Sequence, residues 1–306
     1  MADARSAGTG KITAAAAAAV LVLALGAVLW PRAAGRDGTV PLLVFDASGR
    51  SDRQVRVYEP LAATLAAAID HPVEVTMLTR AGDLAAAAAA RPAFVLAPDG
   101  LALGLDRAHY LPLAVGRGEV PRNLRPRGVL VWRRAAGEAE APWRDRPART
   151  VLGDSLSLTA MGVYAFAGAG DPAARPRCGP DPYDHAPVLH AARLGGFDYA
   201  VVRQWDADRF FASGLLDEAA WGVRPVTPPV PDVVIMASRD LPRRQRMAAG
   251  DALAALGRSA EAPSGPAAEL LAGLDRLQLA GFNLLLEPDL DLVRGQLAPG
   301  WLPHGE

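Results

Sequence analysis

Stretches that read as buried strands alternate with stretches that read as amphipathic helices, and this alternation constrains the fold more than any other feature. "TVPLLVFDA" (Thr39 to Ala47) is an almost unbroken apolar run that ends at Asp46, the pattern of a strand covered on both faces. "YEPLAATLAAAI" (Tyr58 to Ile69) then places Leu61, Leu65 and Ile69 on one helical face, with Pro60 tolerated in a first turn. "PVEVTML" reads as a strand, "AGDLAAAAAA" as a helix, and "AFVLAP" and "GVLVWRR" (Gly128 to Arg134) as further strands. Such an order builds an α/β sheet with right-handed crossovers. A Pro-, Glu- and Arg-rich stretch from Ala135 to Arg149 is expected to be an exposed connection. A second block follows, with "TVLG", a helix from about Leu158, "APVLHAARLGG" and "FDYAVV". The proline-spaced "VRPVTPPVPDVVIMAS" leads into a strand from Val233 to Ala237, and the helical stretches "PRRQRMAAGDALAALG" and "AAELLAGLDRLQ" come next. Two α/β blocks joined by two extended crossings make a bilobed molecule with a cleft. The expected division is a tip, a membrane helix and a linker in residues 1–37, one lobe in 38–134 and 233–306, and the other in 135–232.

With 306 residues, 51% of them hydrophobic and 21% charged, the chain can bury a proper core. A net charge of −1 gives no basic field for nucleic acid. Ile12 to Trp30 is uncharged and apolar. As a helix rising about 1.5 Å per residue it just crosses a ~30 Å hydrocarbon core. Cutting after Ala34 or Ala33 would put Arg32 or Pro31 at the −3 position of a signal peptidase site, so an uncleaved anchor is expected. Flanking positive charge is similar on both sides and does not set the orientation. The single cysteine, Cys178, lies in a polar, Pro-rich loop and reads as an incidental thiol.

"TVLGDSLSLTAMG" (Thr150 to Gly162) contains "GDSL", the signature of a serine esterase family whose serine would here be Ser155. Such an enzyme needs a His base and oxyanion donors. No Asp-x-x-His follows Ser155, the pair Asp106 and His109 lies upstream of it, and no Gly-x-Asn-Asp occurs. The four letters read as a coincidence, and no enzyme activity and no cofactor are expected. The same stretch also fits a strand leading into a Ser/Thr-lined helix start. There Ser157 and Thr159, with their backbone amides, are able either to cradle an anion or simply to cap the helix.

Several segments, in order, resemble the phosphonate-type periplasmic binding proteins, the substrate-binding components of phosphonate, phosphite and related ABC importers. They are "YEPLAATLAAAIDHPVEV", "AFVLAPDGLAL", "GDSLSLTAMG" at the place of an Asp-Pro-x-Ser-Thr-Ser-Gly run, "DHAPVLHAARLGGFDYAVV", "PVPDVVIMASRDLP" and "LQLAGFNLLLEPDLDLVRGQL". The resemblance spans Val40 to Leu297. It implies an α/β fold of two lobes, the type II or venus-flytrap arrangement, here preceded by one transmembrane helix, with a small oxyanion in the cleft. The ligand residues it implies are Ser155, Ser157, Thr159, His185 and Asp232, and Asp46 joins them by its place at the end of the first strand. Asp198, thirteen residues after His185, reads as structural.

The departures are specific. Leu158 and Ala160 replace the family's central Thr and its Gly, Pro92 stands where an Asp is usual, and Ala81 and Pro126 stand where cleft tyrosines are usual. An acidic residue after the strand "FDYAVV" falls at Trp205 or Asp206. The expected partners are a small oxyanion, an ABC permease or another integral membrane complex, and the lipid bilayer through residues 12–30. The expected location is the inner membrane, single-pass, with the main domain in the periplasm. The alternative is a non-transporting accessory or sensory subunit that keeps the fold around a degenerate ligand site.

Overall fold

The computed structural model describes residues 38–47, 52–117, 126–134, 143, 146–160, 176–256, 268–270, 272, 277 and 279–297. The expected membrane helix at 12–30 lies outside them. Among the described residues no helix is long and apolar enough to cross a membrane.

Two sheets organise the chain. The first has six strands in the order β11-β4-β10-β3-β1-β2, built from β1 (Val40–Phe45), β2 (Val73–Leu78), β3 (Phe94–Pro98), β4 (Tyr110–Arg117), β10 (Val233–Ser238) and β11 (Gly281–Leu284). β1 runs parallel to β2 and β3, whereas β10 is antiparallel to both β3 and β4. β3 is buried along its whole length and β2 alternates. That is the difference between a central strand and an edge strand. α1 (Asp52–Ile69) and α6 (Arg243–Ala255) cover one face, where Leu61, Leu65 and Ile69 are buried as their spacing requires. α1 begins earlier than the apolar periodicity indicated, so Pro60 lies inside the helix, not in its first turn. The short α2 (Leu84–Ala89) and α3 (Asp99–Leu103) are joined on the other face by α7 (Glu287–Gln296).

The second sheet has five strands in the order β7-β6-β8-β5-β9, from β5 (Gly128–Arg133), β6 (Thr150–Leu152), β7 (Arg177–Cys178), β8 (Tyr199–Arg203) and β9 (Trp221–Pro225). α4 (Ala186–Arg193) and α5 (Gln204–Ala212) supply Leu189, Ala192 and Phe210 to its core. β5 was expected to finish the first lobe. Instead it pairs antiparallel with β8 and β9 in the second, because its apolar run has partners only there. The first crossing therefore precedes Gly128 rather than following Arg134. It lies against the returning one, where the Val230 amide donates to the Pro126 carbonyl at 2.9 Å. Trp143, within the stretch read as exposed, is buried in this lobe and its carbonyl takes the Thr150 hydroxyl at 3.0 Å. Cys178, read as a loop residue, sits on the short edge strand and is exposed.

The topology aims a particular set of residues at the junction. Asp46 follows β1, Asp99 follows β3, Asp154 follows β6, and Arg203 ends β8. These are carboxyl ends of strands in parallel pairs, the ends where open α/β sheets gather ligands. Asp232 precedes β10, which is antiparallel to β3, so it meets the same end, and the Asp99 amide donates to the Asp232 carbonyl at 2.7 Å.

Candidate functional site

Every one of those charged residues is buried, together with Ser157, Thr159, His185 and Asp206. Burying charge without partners costs several kcal/mol per group, so the partners decide what the cluster is.

Asp154 sits on converging donors. Its Oδ1 accepts from the amides of Leu156 (2.5 Å) and Ser157 (2.6 Å), and its Oδ2 accepts from the Ser157 hydroxyl (2.5 Å) and faces His185 Nε2 (2.8 Å). The Thr159 hydroxyl lies 3.1 Å from that of Ser157. Burial opposes ionisation of Asp154, yet the bonds from His185, Ser157 and Leu156 outweigh it and hold the carboxyl below its usual range. His185 Nδ1 accepts the Arg203 amide at 3.0 Å. An accepting Nδ1 carries no proton, so the network assigns the Nε2–H tautomer, donating to Asp154. The packing that holds the ring is tight, since a Cβ on Gly153 would lie 2.3 Å from His185 Nδ1.

Arg203 is the largest fully buried side chain of the described residues. Its Nε donates to Asp206 (2.8 Å), one terminal nitrogen to Asp232 (3.1 Å) and the other to the Tyr183 carbonyl (2.5 Å). Burial disfavours the guanidinium, but Asp206 and Asp232 more than offset that and raise its pKa. Burial also pushes Asp232 up, against the pull of Arg203. Asp232 precedes β10 of the first sheet and Arg203 ends β8 of the second, so this pair bridges the two sheets.

Asp99 completes the junction. Its Oδ1 accepts the amides of Gly100 (2.9 Å) and, from the opposite lobe, Leu158 (2.8 Å). Its Oδ2 is buried and has no hydrogen-bond partner among the described residues. Burial first, then the charges of Asp232 and Asp154, lift its pKa well above the ordinary value, against the bonds from Leu158 and Gly100. A carboxyl whose folded pKa is raised adds stability that is fully present below the unfolded pKa and lost as pH rises toward the folded one. In that window the loss is about 1.4 kcal/mol per pH unit. Asp99→Asn, which imitates the protonated acid, is expected to remove this slope and leave stability at pH 8 equal or higher. Thermal unfolding of both proteins across pH 4.5–8.5 checks it; an unchanged slope refutes a raised Asp99.

The lobes also interdigitate. Leu158 and the half-buried Leu156 come from the second lobe but pack with Leu43, Phe45, Val95, Ala97 and Leu101 of the first. Tyr183 joins the first lobe's other core cluster and donates its hydroxyl to the Phe45 carbonyl at 2.9 Å. The backbones nearly touch, since a Cβ on Gly100 would lie 2.2 Å from the Leu156 carbonyl oxygen.

Of the residues expected from sequence, the structure gathers Ser157, Thr159, His185 and Asp232 into this cluster. Asp46 is buried beside it and takes the Tyr58 hydroxyl at 2.8 Å. Ser155 is not part of it, because it is exposed while its neighbour Asp154 turns inward. His185 spends both ring nitrogens on Asp154 and the Arg203 amide, so it is no base for the "GDSL" serine. Asp198 pairs with Arg149 on the surface. Of the two positions offered for the acid after β8, Asp206 is the one in the cluster. Residues not anticipated are Asp99, Asp154, Arg203, Tyr58 and Tyr183. A signal existed for Arg203, an arginine closing the apolar "YAVV" three residues before an acid. None existed for Asp99, whose partner Leu158 is fifty-nine positions away.

No protein-family model matches the chain, nor does any curated protein sequence. Solved structures do. A Xanthomonas citri protein bound to ATP superposes with a TM-score of 0.60 at 13% identity, over 84% of this chain and 95% of that one. PhnD1 of Prochlorococcus marinus in complex with methylphosphonate gives 0.59 at 10% identity, over 84% and 96%. A binding protein component of an ABC phosphonate transporter from Pseudomonas aeruginosa gives 0.57 at 15% identity, over 84% and 85%. With two mixed sheets, a pair of adjacent crossings and these likenesses across most of its length, the chain has the two-lobed fold of periplasmic binding proteins.

Proposed function

We propose that the chain is a membrane-tethered solute-binding module of the ABC-importer kind, facing the periplasm, whose ligand is a small oxyanion taken up between the lobes. The observation that carries this reading is the convergence of the Leu156 and Ser157 amides, the Ser157 hydroxyl and His185 Nε2–H on one carboxylate, that of Asp154. A set of donors able to hold a carboxylate is able to hold a phosphonate, phosphite or phosphate oxygen. The fold likeness to PhnD1 with methylphosphonate supports the same class. Tethering rests on the apolar run at 12–30, and the permease as partner on the fold.

A second reading is supported by a different observation. Leu158 and Tyr183 fill the junction from one lobe into the other, and Arg203 already bridges it to Asp232. A molecule closed by its own side chains serves as a non-transporting accessory or sensory subunit that docks on a membrane complex.

Titration of the purified full chain with methylphosphonate, phosphite, phosphate and sulfate, followed by thermal shift, separates the two. Saturable stabilisation by at least one anion at millimolar concentration or below is expected for the carrier; at one hundred times Kd it amounts to about 2.7 kcal/mol. No stabilisation by any of them, with co-purification of a membrane assembly, would favour the accessory subunit.

A further inference from the structure

We propose that the Asp154 carboxylate is a built-in occupant of the oxyanion position, so that this one residue sets how strongly the site takes an external anion. This rests on the reading of the interlobe cluster as the ligand site.

An ordinary local turn needs only Oδ1 and the two amides that follow. Asp154 goes further, because its Oδ2 is also gripped by the Ser157 hydroxyl and by His185, thirty-one positions along the chain. His185 is itself fixed through Nδ1 by the Arg203 amide. The four donors come from two separate segments, and the carboxylate they enclose is 1% exposed. Their arrangement is that of a receptor around a bound anion, with the anion supplied in cis.

Two further observations bear on an outside ligand. The cluster holds one guanidinium among the buried carboxyl groups of Asp99, Asp154, Asp206 and Asp232. An added anion is therefore repelled as long as Asp154 keeps its charge. Asp99 Oδ2, beside the Leu158 amide that follows the same turn, is buried with no hydrogen-bond partner among the described residues. When protonated, the form that burial favours, it offers an O–H that no acceptor among the described residues takes, and an oxygen of a tetrahedral anion would be such an acceptor.

The prediction is a gain of binding. Asp154→Ala removes the internal carboxylate, leaves His185 and both amides in place, and lowers stability in anion-free buffer. Methylphosphonate, phosphite or acetate, the last being the excised group itself, is expected to restore stability saturably. Half-saturation should come at a concentration at least about tenfold lower than for the natural chain, as expected for removing a buried like charge. Asp198→Ala, which breaks the surface pair with Arg149, serves as the control and should behave as the natural chain does.

Equal anion dependence in Asp154→Ala and the natural chain overturns the proposal while leaving the oxyanion site standing. No anion response in either overturns both. If Asp154→Ala does not fold, Asp154→Ser empties the carboxylate position while keeping a capping oxygen for the amides that follow. The same direction of change is then required, and its absence is decisive against Asp154 as occupant.

Discussion

Replacing Arg203 with Met is expected to destabilise the protein by about 3–5 kcal/mol, the cost of leaving buried charges without their counter-ion. Methionine fills most of the volume, so the loss is electrostatic more than steric. Asp206 and Asp232 each lose a guanidinium contact, at 2.8 and 3.1 Å, and the Tyr183 carbonyl loses its donor. Both carboxyl groups then sit in a site that burial already makes unfavourable for charge, as the raised Asp232 shows. The folded pKa of Asp232 rises further, so the deficit has a definite sign with pH: it shrinks as pH falls and this acid protonates, and grows as pH rises. Urea denaturation of Arg203→Met at pH 5 and pH 8 reads this directly. Adding Asp232→Asn to Arg203→Met should return part of the stability, because it removes one of the orphaned charges, whereas Asp232→Asn alone should be harmful. A deficit that does not depend on pH, or a double variant no better than the single one, would show that Arg203 acts by packing alone.

Leu158→Ala is the second large effect, about 2–5 kcal/mol for a fully buried leucine. Its interest lies in where that energy acts. The leucine is carried by the second lobe and packed in the core of the first, so its removal weakens the contact between lobes and not the interior of either. The expectation is therefore two-fold, a lower unfolding midpoint and a shift toward an open arrangement, seen as a larger radius of gyration in small-angle scattering. Hydrogen exchange should become faster at the amides of Leu158 and Gly100, both of which are held by Asp99. Loss of stability with an unchanged radius of gyration and unchanged exchange at these amides would mean that Leu158 is an ordinary core residue and that closure is held by the charges.

The sequence disclosed much of the fold because its strands are long apolar runs and its helices carry one apolar face. β3 and β10 are buried along their length, and β1 at every residue but Pro41, and such runs are legible one segment at a time. The placement of β5 was not, since "GVLVWR" is equally apolar whichever sheet receives it. Its membership follows from antiparallel pairing with β8 and β9, which no local pattern records. The same limit applied at the site. Ser157 and Thr159 were visible as residue types at a helix start, and His185 and Asp232 through the resemblance to the phosphonate-type binding proteins. Ser155 was expected inward and is exposed, because the turn after β6 rotates Asp154 into the cluster instead.

By itself, then, the sequence determined that the chain builds two α/β units and that polar side chains collect where strands end, since apolar periodicity and chain order act locally. Only the tertiary structure decided what those side chains do to one another. Asp99 meets the amide of Leu158, Arg203 meets Asp232, and Leu158 enters the other lobe, all across separations that local propensity does not encode. Burial then converts these meetings into large energies, because a charge or a leucine held at such a junction is shielded from the water that would otherwise make it interchangeable.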